Sequence, residues 1–400
     1  MRGVSNARAR AWVEIDLDAL RSNFLRLRER SGPAHGVVPV VKADAYGLGA
    51  DRVVRELAPL KPWGFGVATA AEGAALRRGG FAGRVLAVVP LAPGTEGVAV
   101  AARLIPTISD LAGLERLMGV ASGLDGAQVE FHVDVDTGMG RSGFPDADAA
   151  AWAPELAARI AEGVRWTGVC THFHSADEAD ETATRSQWAR LQRALGAIRA
   201  SAGPDAAAVG PVSGPRGMGP FGLLVHAANG PATARWPEFA GDLVRPGFPL
   251  YGGFAESLRD EAAEVPRPEP VVAVRARVAL VRDVPAGSTL GYGSTHAAPP
   301  GGARWATVTI GYGDGVPRVL GNQGRMLVRG RSAPIVGRIS MDLTVLDVSR
   351  VDGVAVGDEV TFIGRDGGAE ITLAVAAARA GIGYELLTRL SGRLPRVEIG

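Results

Sequence analysis

Val37-Val38-Pro39-Val40-Val41-Lys42-Ala43-Asp44-Ala45-Tyr46-Gly47-Leu48-Gly49 decides how the rest of the chain is read. The apolar run 37–41 has the length and β-branched content of a buried strand. A lysine stands where it ends, and a tyrosine follows four residues later among glycines that permit tight turns. An unpaired ammonium at the mouth of a buried strand is costly. It becomes reasonable when the amine is held covalently as an imine. Of 43 Lys and Arg residues, only Lys42 and Lys61 are lysines. Arginine is not deprotonated in proteins and forms no such bond. An aldehyde cofactor would therefore need Lys42 or Lys61. Lys61 precedes Pro62 in a helix-to-strand connection, where a solvated charge is expected.

Outward from this stretch, strand and helix patterns alternate. Residues 11–17 alternate like a strand, and Leu17, Leu20, Phe24 and Leu27 follow at helical spacing behind a capping Asp16. Strand patterns over 64–68, 84–89, 104–108, 128–135, 164–172, 223–228 and 243–245 interleave with helical ones over 51–60, 70–78, 110–120, 148–162 and 187–200, with Asp148 read as a cap. This predicts a parallel sheet closed into a TIM-type (β/α)8 barrel over 12–255. Short strands over 271–282, 305–310, 325–328, 333–339, 344–348 and 359–363, with a single late helix over 373–379, predict a C-terminal all-β domain over 256–400. The segment 256–270 reads as the linker, and 1–11 as flexible or packed on the β-domain. Residues 201–222, rich in Gly and Pro, read as a loop insertion at the barrel's N-terminal end, away from the chemistry.

Bulk properties agree. The 400 residues suit one barrel and a second domain, and 46% hydrophobic with 21% charged residues marks a globular chain. A net charge of +1 gives no sign of a nucleic-acid or anionic-membrane partner. Six histidines and one cysteine argue against a cysteine-rich metal module and exclude an intramolecular disulfide. Cys170, in an apolar strand pattern, reads as a small hydrophobe. Residues 1–10 are basic but precede no apolar signal region, and no uninterrupted apolar run reaches about 18 residues. The expected compartment is the cytoplasm.

Barrel chemistry sits at the C-terminal ends of the strands. Those ends carry Lys42 and Tyr46, then Asp134-Val135-Asp136-Thr137-Gly138-Met139-Gly140-Arg141, Thr171-His172-Phe173-His174-Ser175, His226-Ala227-Ala228-Asn229-Gly230 and Val244-Arg245-Pro246-Gly247-Phe248. Gly230 and Gly247 expose backbone N–H groups of the kind that hold a phosphate. Together with Gly291-Tyr292-Gly293, Gly311-Tyr312-Gly313-Asp314-Gly315, Val336-Gly337-Arg338-Ile339-Ser340-Met341-Asp342 and Tyr384-Glu385-Leu386-Leu387-Thr388-Arg389, these motifs resemble the alanine racemase family in order and spacing across nearly the whole chain.

The resemblance implies a pyridoxal 5'-phosphate enzyme with a barrel and a β-domain. It implies that Lys42 carries the cofactor as an imine. It further implies that Tyr46, Asn229, Gly230, Tyr384 and the Gly247 and Phe248 main chain border the cofactor or its phosphate, that Arg245 meets the ring nitrogen, and that His172 lies against the ring. Arg141 would contact the substrate carboxylate. Tyr292 would be the second base, reaching in from the partner subunit of a homodimer, with Tyr312 and Met341 on the same wall. Two bases, one per face of Cα, invert the centre without rotating the substrate. Arg245 does not give up its proton, so a ring nitrogen bonded to it would stay unprotonated and a weaker electron sink, which would disfavour transamination.

Three positions depart from the family's usual pattern. Leu48 stands where a histidine is common, Gly230 where a phosphate-binding serine is frequent, and Asp134 where many relatives carry a carboxylated lysine. Asp134 is expected to pair with Arg141 directly. His174 and His226 are expected to pack as satisfied polar groups. The competing readings are a broad-specificity amino-acid racemase, a non-catalytic cofactor-binding protein and a decarboxylase of the same architecture.

Overall fold

The computed structural model describes residues 9–32, 35–122, 128–161, 163–201, 222–254, 265 and 267–400. All but the two end residues of the expected insertion at 201–222, and most of the expected linker, lie outside these residues. Eight parallel strands occur in chain order: Gly36–Val37, Phe65–Val67, Val85–Pro90, Ile105–Ile108, Val129–Asp136, Val164–Cys170, Leu224–His226 and Leu243–Val244. The last pairs with the first, Leu243 beside Gly36 and Val244 beside Val37. Bridges Val40–Gly66 and Asn229–Arg245 close the remaining seams. The ring is therefore a barrel, as expected.

Alternation along the strands sends Val38, Leu86, Ile105, Leu224 and Leu243 into one buried interior cluster. His132 joins this layer because Gly168 faces it: a Cβ at Gly168 would lie 2.6 Å from the His132 ring. Outer helices are set by local signals. Asp16 accepts the Ala19 N–H at 2.9 Å to start the helix Leu17–Ser31. Thr69 and Glu72 form a capping box at the start of Ala70–Arg78. Asp148, expected as a cap, makes no side-chain capping bond at Ala149–Arg159, which instead follows directly on a 3-10 turn, Asp146–Asp148.

The second unit is a closed ring of six strands. Val272–Val284, Ala303–Val308, Thr344–Asp347, Arg331–Val336, Arg325–Val328 and Glu359–Asp366 pair in that order, and the last returns to the first. Val272, Val274, Ala276 and Val278 alternate inward, each valine contributing roughly 1.5–3 kcal/mol by leaving water. The opening strand Ala11–Asp16 belongs here, not to the barrel. It runs antiparallel to Val272–Val284 and parallel to Arg396–Ile399. The expected boundary at 12 therefore cuts through a strand of the β-domain. Asp314 is fully buried and orders its turn by accepting the Gly311 N–H at 3.0 Å and a two-pronged bond from Arg10 at 3.0 and 2.6 Å. Asp342 pairs with Arg393 at 2.5 Å.

Two short helices close the domain, Leu373–Ala377 and Gly383–Thr388, where one was expected. The second packs against the turn after Lys42. Among the described residues, no helix is long and apolar enough to cross a membrane.

Candidate active site at the barrel mouth

A cavity of about 530 Å³ opens at the C-terminal ends of the barrel strands. Lys42, Tyr46, Arg141, His172, Asn229, Gly230, Arg245, Gly247, Phe248 and Tyr384 all border it. Every cofactor residue expected from the sequence is thus brought together, with Arg141 among them. Tyr292, Tyr312 and Met341 are not. They lie on the β-domain surface, 66%, 41% and 51% exposed, and none borders this cavity.

Lys42 owes its direction to an uncommon backbone. Ala43, Asp44, Ala45 and Tyr46 are left-handed in succession, with φ between 52° and 57°. Glycines were expected to make this turn; non-glycine residues make it, at about 1–2 kcal/mol each. Specific bonds hold the conformation. Asp44 accepts the Gly49 N–H through its carbonyl at 2.9 Å and the Ala50 N–H through its carboxylate at 2.7 Å. Glu72 accepts the Ala43 N–H at 2.8 Å. Arg396 donates twice to the Gly47 carbonyl, at 3.1 and 2.8 Å. Leu48 is fully buried, so the position that departs from the family pattern is apolar packing here.

Burial first, then the positive fields of Arg141 and Arg245, lower the pKa of Lys42, and Glu72 acts against them. Arg141 forms no hydrogen bond or ion pair among the described residues, so its guanidinium is available to a ligand. Asp134 does not pair with it. Its carboxylate accepts the Ser142 hydroxyl at 2.8 Å and lies 3.9 Å from Cys170 Sγ, and burial raises its pKa. The residue next to Arg141 takes the acid instead.

Arg245 is held from behind. Nη1 donates to His226 Nδ1 at 2.6 Å and to the His226 carbonyl at 2.7 Å. Nη2 donates to the carbonyls of Thr171 at 2.7 Å and Ala227 at 3.2 Å. Because arginine only donates, His226 Nδ1 is an acceptor, and its Nε2–H donates to His132 Nδ1 at 2.7 Å. This donor order assigns both imidazoles as neutral, and burial lowers both pKa values. His226, expected only to pack, positions Arg245. Its place at a strand end was the available signal. His174 is exposed and bonds Ser175 at 2.7 Å. His172 borders the cavity, its pKa pushed down to about 3 by burial and then by Arg245, Arg141 and Lys42. Gln187 pins its carbonyl at 3.0 Å.

The opposite rim is aromatic. Phe248 stacks on Tyr384 with ring centroids 3.9 Å apart, and burial raises the pKa of Tyr46 to about 12. Asn229 starts the short helix Gly230–Arg235 by accepting the Ala232 N–H at 3.2 Å. A Cβ at Gly247 would lie 2.4 Å from Tyr46 Oη, so glycine alone leaves this cradle open. A Cβ at Gly230 would meet the Pro249 ring at 2.5 Å, so a serine has no room in this packing. One amine, two guanidiniums, two phenols and glycine main chain form a donor set suited to an anionic aromatic aldehyde such as pyridoxal 5'-phosphate.

Comparison with known proteins agrees with this architecture. Residues 15–210 match the family described as "Alanine racemase, N-terminal domain", and 271–398 match "Alanine racemase, C-terminal domain". The chain is 37% identical over 380 residues to the alanine racemase of Syntrophobacter fumaroxidans, covering 94% of each chain. It is 33% identical to that of Halothermothrix orenii, covering 96% of each. The crystal structure of alanine racemase from D-cycloserine producing Streptomyces lavendulae superposes with a TM-score of 0.86 at 33% identity, covering 98% of this chain and 97% of that one. That of Bacillus anthracis with bound L-Ala-P gives 0.85 at 28% identity, covering 98% and 95%. The chain belongs to the alanine racemase family.

Proposed function

We propose that this enzyme interconverts L- and D-alanine with pyridoxal 5'-phosphate by a two-base mechanism. The observation that carries the reading is the convergence, in one cavity, of Lys42, an unpaired Arg141 and an Arg245 backed by neutral imidazoles. Lys42 would anchor the cofactor. Tyr46, Tyr384, the Gly230 and Gly247 N–H groups and the Phe248 main chain would hold its phosphate, with Asn229 fixing the helix start. Arg245 would meet the ring nitrogen and His172 flank the ring. When bound, the cofactor supplies an electron sink for the charge left as Cα–H ionises.

This chain's residues do the rest. Arg141 orients the alanine carboxylate through charge-assisted bonds. Lys42 Nζ moves a proton at one face of Cα, and its lowered pKa keeps more of the amine free to accept it. Tyr292 of the partner subunit serves the other face. Tyr292, Tyr312 and Met341 are exposed apolar or aromatic side chains on one protomer, which supports a homodimer in which a second copy covers them. We place the enzyme in the cytoplasm, with alanine as its small-molecule substrate and D-alanine destined for peptidoglycan.

Assaying L-alanine beside L-serine, L-lysine and L-arginine tests this reading. Racemisation restricted to alanine is expected. Comparable turnover of lysine or arginine would move the reading to a broad-specificity racemase. Cofactor binding without turnover of any would leave a binding protein. Lys42→Ala is expected to lose the covalent yellow chromophore; its retention would point to Lys61.

A further inference from the structure

We propose that Glu72 is a positioning residue for Lys42: its carboxylate ties the left-handed turn after the lysine to the neighbouring strand end and sets a negative charge beside the amine. The inference rests on Lys42 being the anchor and base. A capping-box glutamate needs one oxygen, for the N-cap N–H. Glu72 uses both. Oε2 accepts from Ala68 at 2.7 Å and Thr69 at 3.2 Å, at the end of Phe65–Val67. Oε1 leaves the helix and accepts the Ala43 N–H at 2.8 Å. Ala43 is the first left-handed residue, so this bond fixes the point where the chain turns away from Lys42. The conformation is disfavoured in isolation, and Glu72 is one of the contacts that holds it.

The charge has a second effect. Arg141 and Arg245 face the Lys42 amine and favour its neutral form, and Glu72 is the acid that opposes them. His172, also facing it, is held neutral by burial and these same cations. The carboxylate thus limits how far the amine loses its proton when no substrate is present.

The full-length chain, stripped of any bound aldehyde with hydroxylamine, is labelled with acetic anhydride across a pH series. Lys61 is exposed and is the second of two lysines, so it reports reagent reactivity in the same digest. In Glu72→Gln, the Lys42 labelling midpoint should fall by roughly half a pH unit or more, and the Ala43 amide should exchange faster. Thr69→Ala breaks the capping box without touching Ala43 and should leave the midpoint in place. An unchanged midpoint in Glu72→Gln overturns the proposal, as does an equal shift in Thr69→Ala, which would make Glu72 a helix cap only. Glu72→Asp is the second variant: it keeps the charge, but a shorter side chain cannot reach both segments, so faster exchange of the Ala43 amide with a smaller downward shift than in Glu72→Gln is expected. Failure of Lys42 as the anchor would show separately, as a covalent chromophore persisting in Lys42→Ala.

Discussion

Acidification from about pH 7.5 to 5.5 should lower the stability of the folded chain by at least about 3 kcal/mol, through three histidines. Burial is the largest cause of depression in His132, His172 and His226, and Arg245 adds repulsion to each. His132 and His172 are pushed down to about 3, and His226 falls well below its ordinary range. Unfolding returns each to about 6.5. A base depressed in the fold stabilises it above the unfolded value. That contribution is lost as pH falls below about 6.5, because the unfolded chain takes up protons the native imidazoles refuse. At pH 5.5 His132 and His172 each account for somewhat over about 1 kcal/mol, roughly one pH unit of proton uptake by the unfolded chain, and His226 adds in the same sense. Asp134, whose pKa is raised by burial, works in the opposite sense by at most one proton. Urea unfolding at the two pH values measures the loss. His172→Gln leaves the His132–His226 pair intact and should reduce the loss by about 1 kcal/mol. Stability that is flat within about 1 kcal/mol between the two pH values would refute the neutral assignments.

Arg245→Met leaves His226 Nδ1 without its donor and takes a guanidinium bond from the Thr171 and His226 carbonyls, the latter keeping only the Thr171 N–H at 3.3 Å, and should destabilise the fold by about 3–5 kcal/mol in denaturant titration. Gly247→Ala drives a methyl against Tyr46 Oη, 2.4 Å away, and should weaken pyridoxal 5'-phosphate binding at least about tenfold in an absorbance titration. Arg141→Lys keeps the charge but loses the planar fork, so KM for alanine should rise about tenfold while the cofactor chromophore is retained.

The barrel was legible because its strands are short apolar runs separated by helical periods, and the site because Lys42, Arg141, His172, Asn229 and Arg245 all fall at strand ends. What escaped was set by partners rather than by pattern. The strand Ala11–Asp16 alternates whichever sheet it joins, and only pairing with Val272–Val284 and Arg396–Ile399 assigns it to the β-domain. Helix Gly383–Thr388 has six residues, too few for a periodic signal, yet it delivers Tyr384. No glycine occupies 43–46, so a left-handed turn there is invisible without the bonds from Glu72 and Arg396. The partner of Asp134 depended on which of two adjacent side chains, Arg141 or Ser142, turns inward. His226 differs from a packed histidine only in the guanidinium it receives.

In the proposed mechanism, Lys42 and Tyr292 act on opposite faces of one substrate, with the tyrosine supplied by a second subunit. D-alanine formation from L-alanine, compared between wild type and Tyr292→Phe loaded with cofactor, tests it most directly. Both are expected to bind the cofactor and absorb alike, wild type to form D-alanine, and the variant to lose this activity. Full activity in Tyr292→Phe would contradict it.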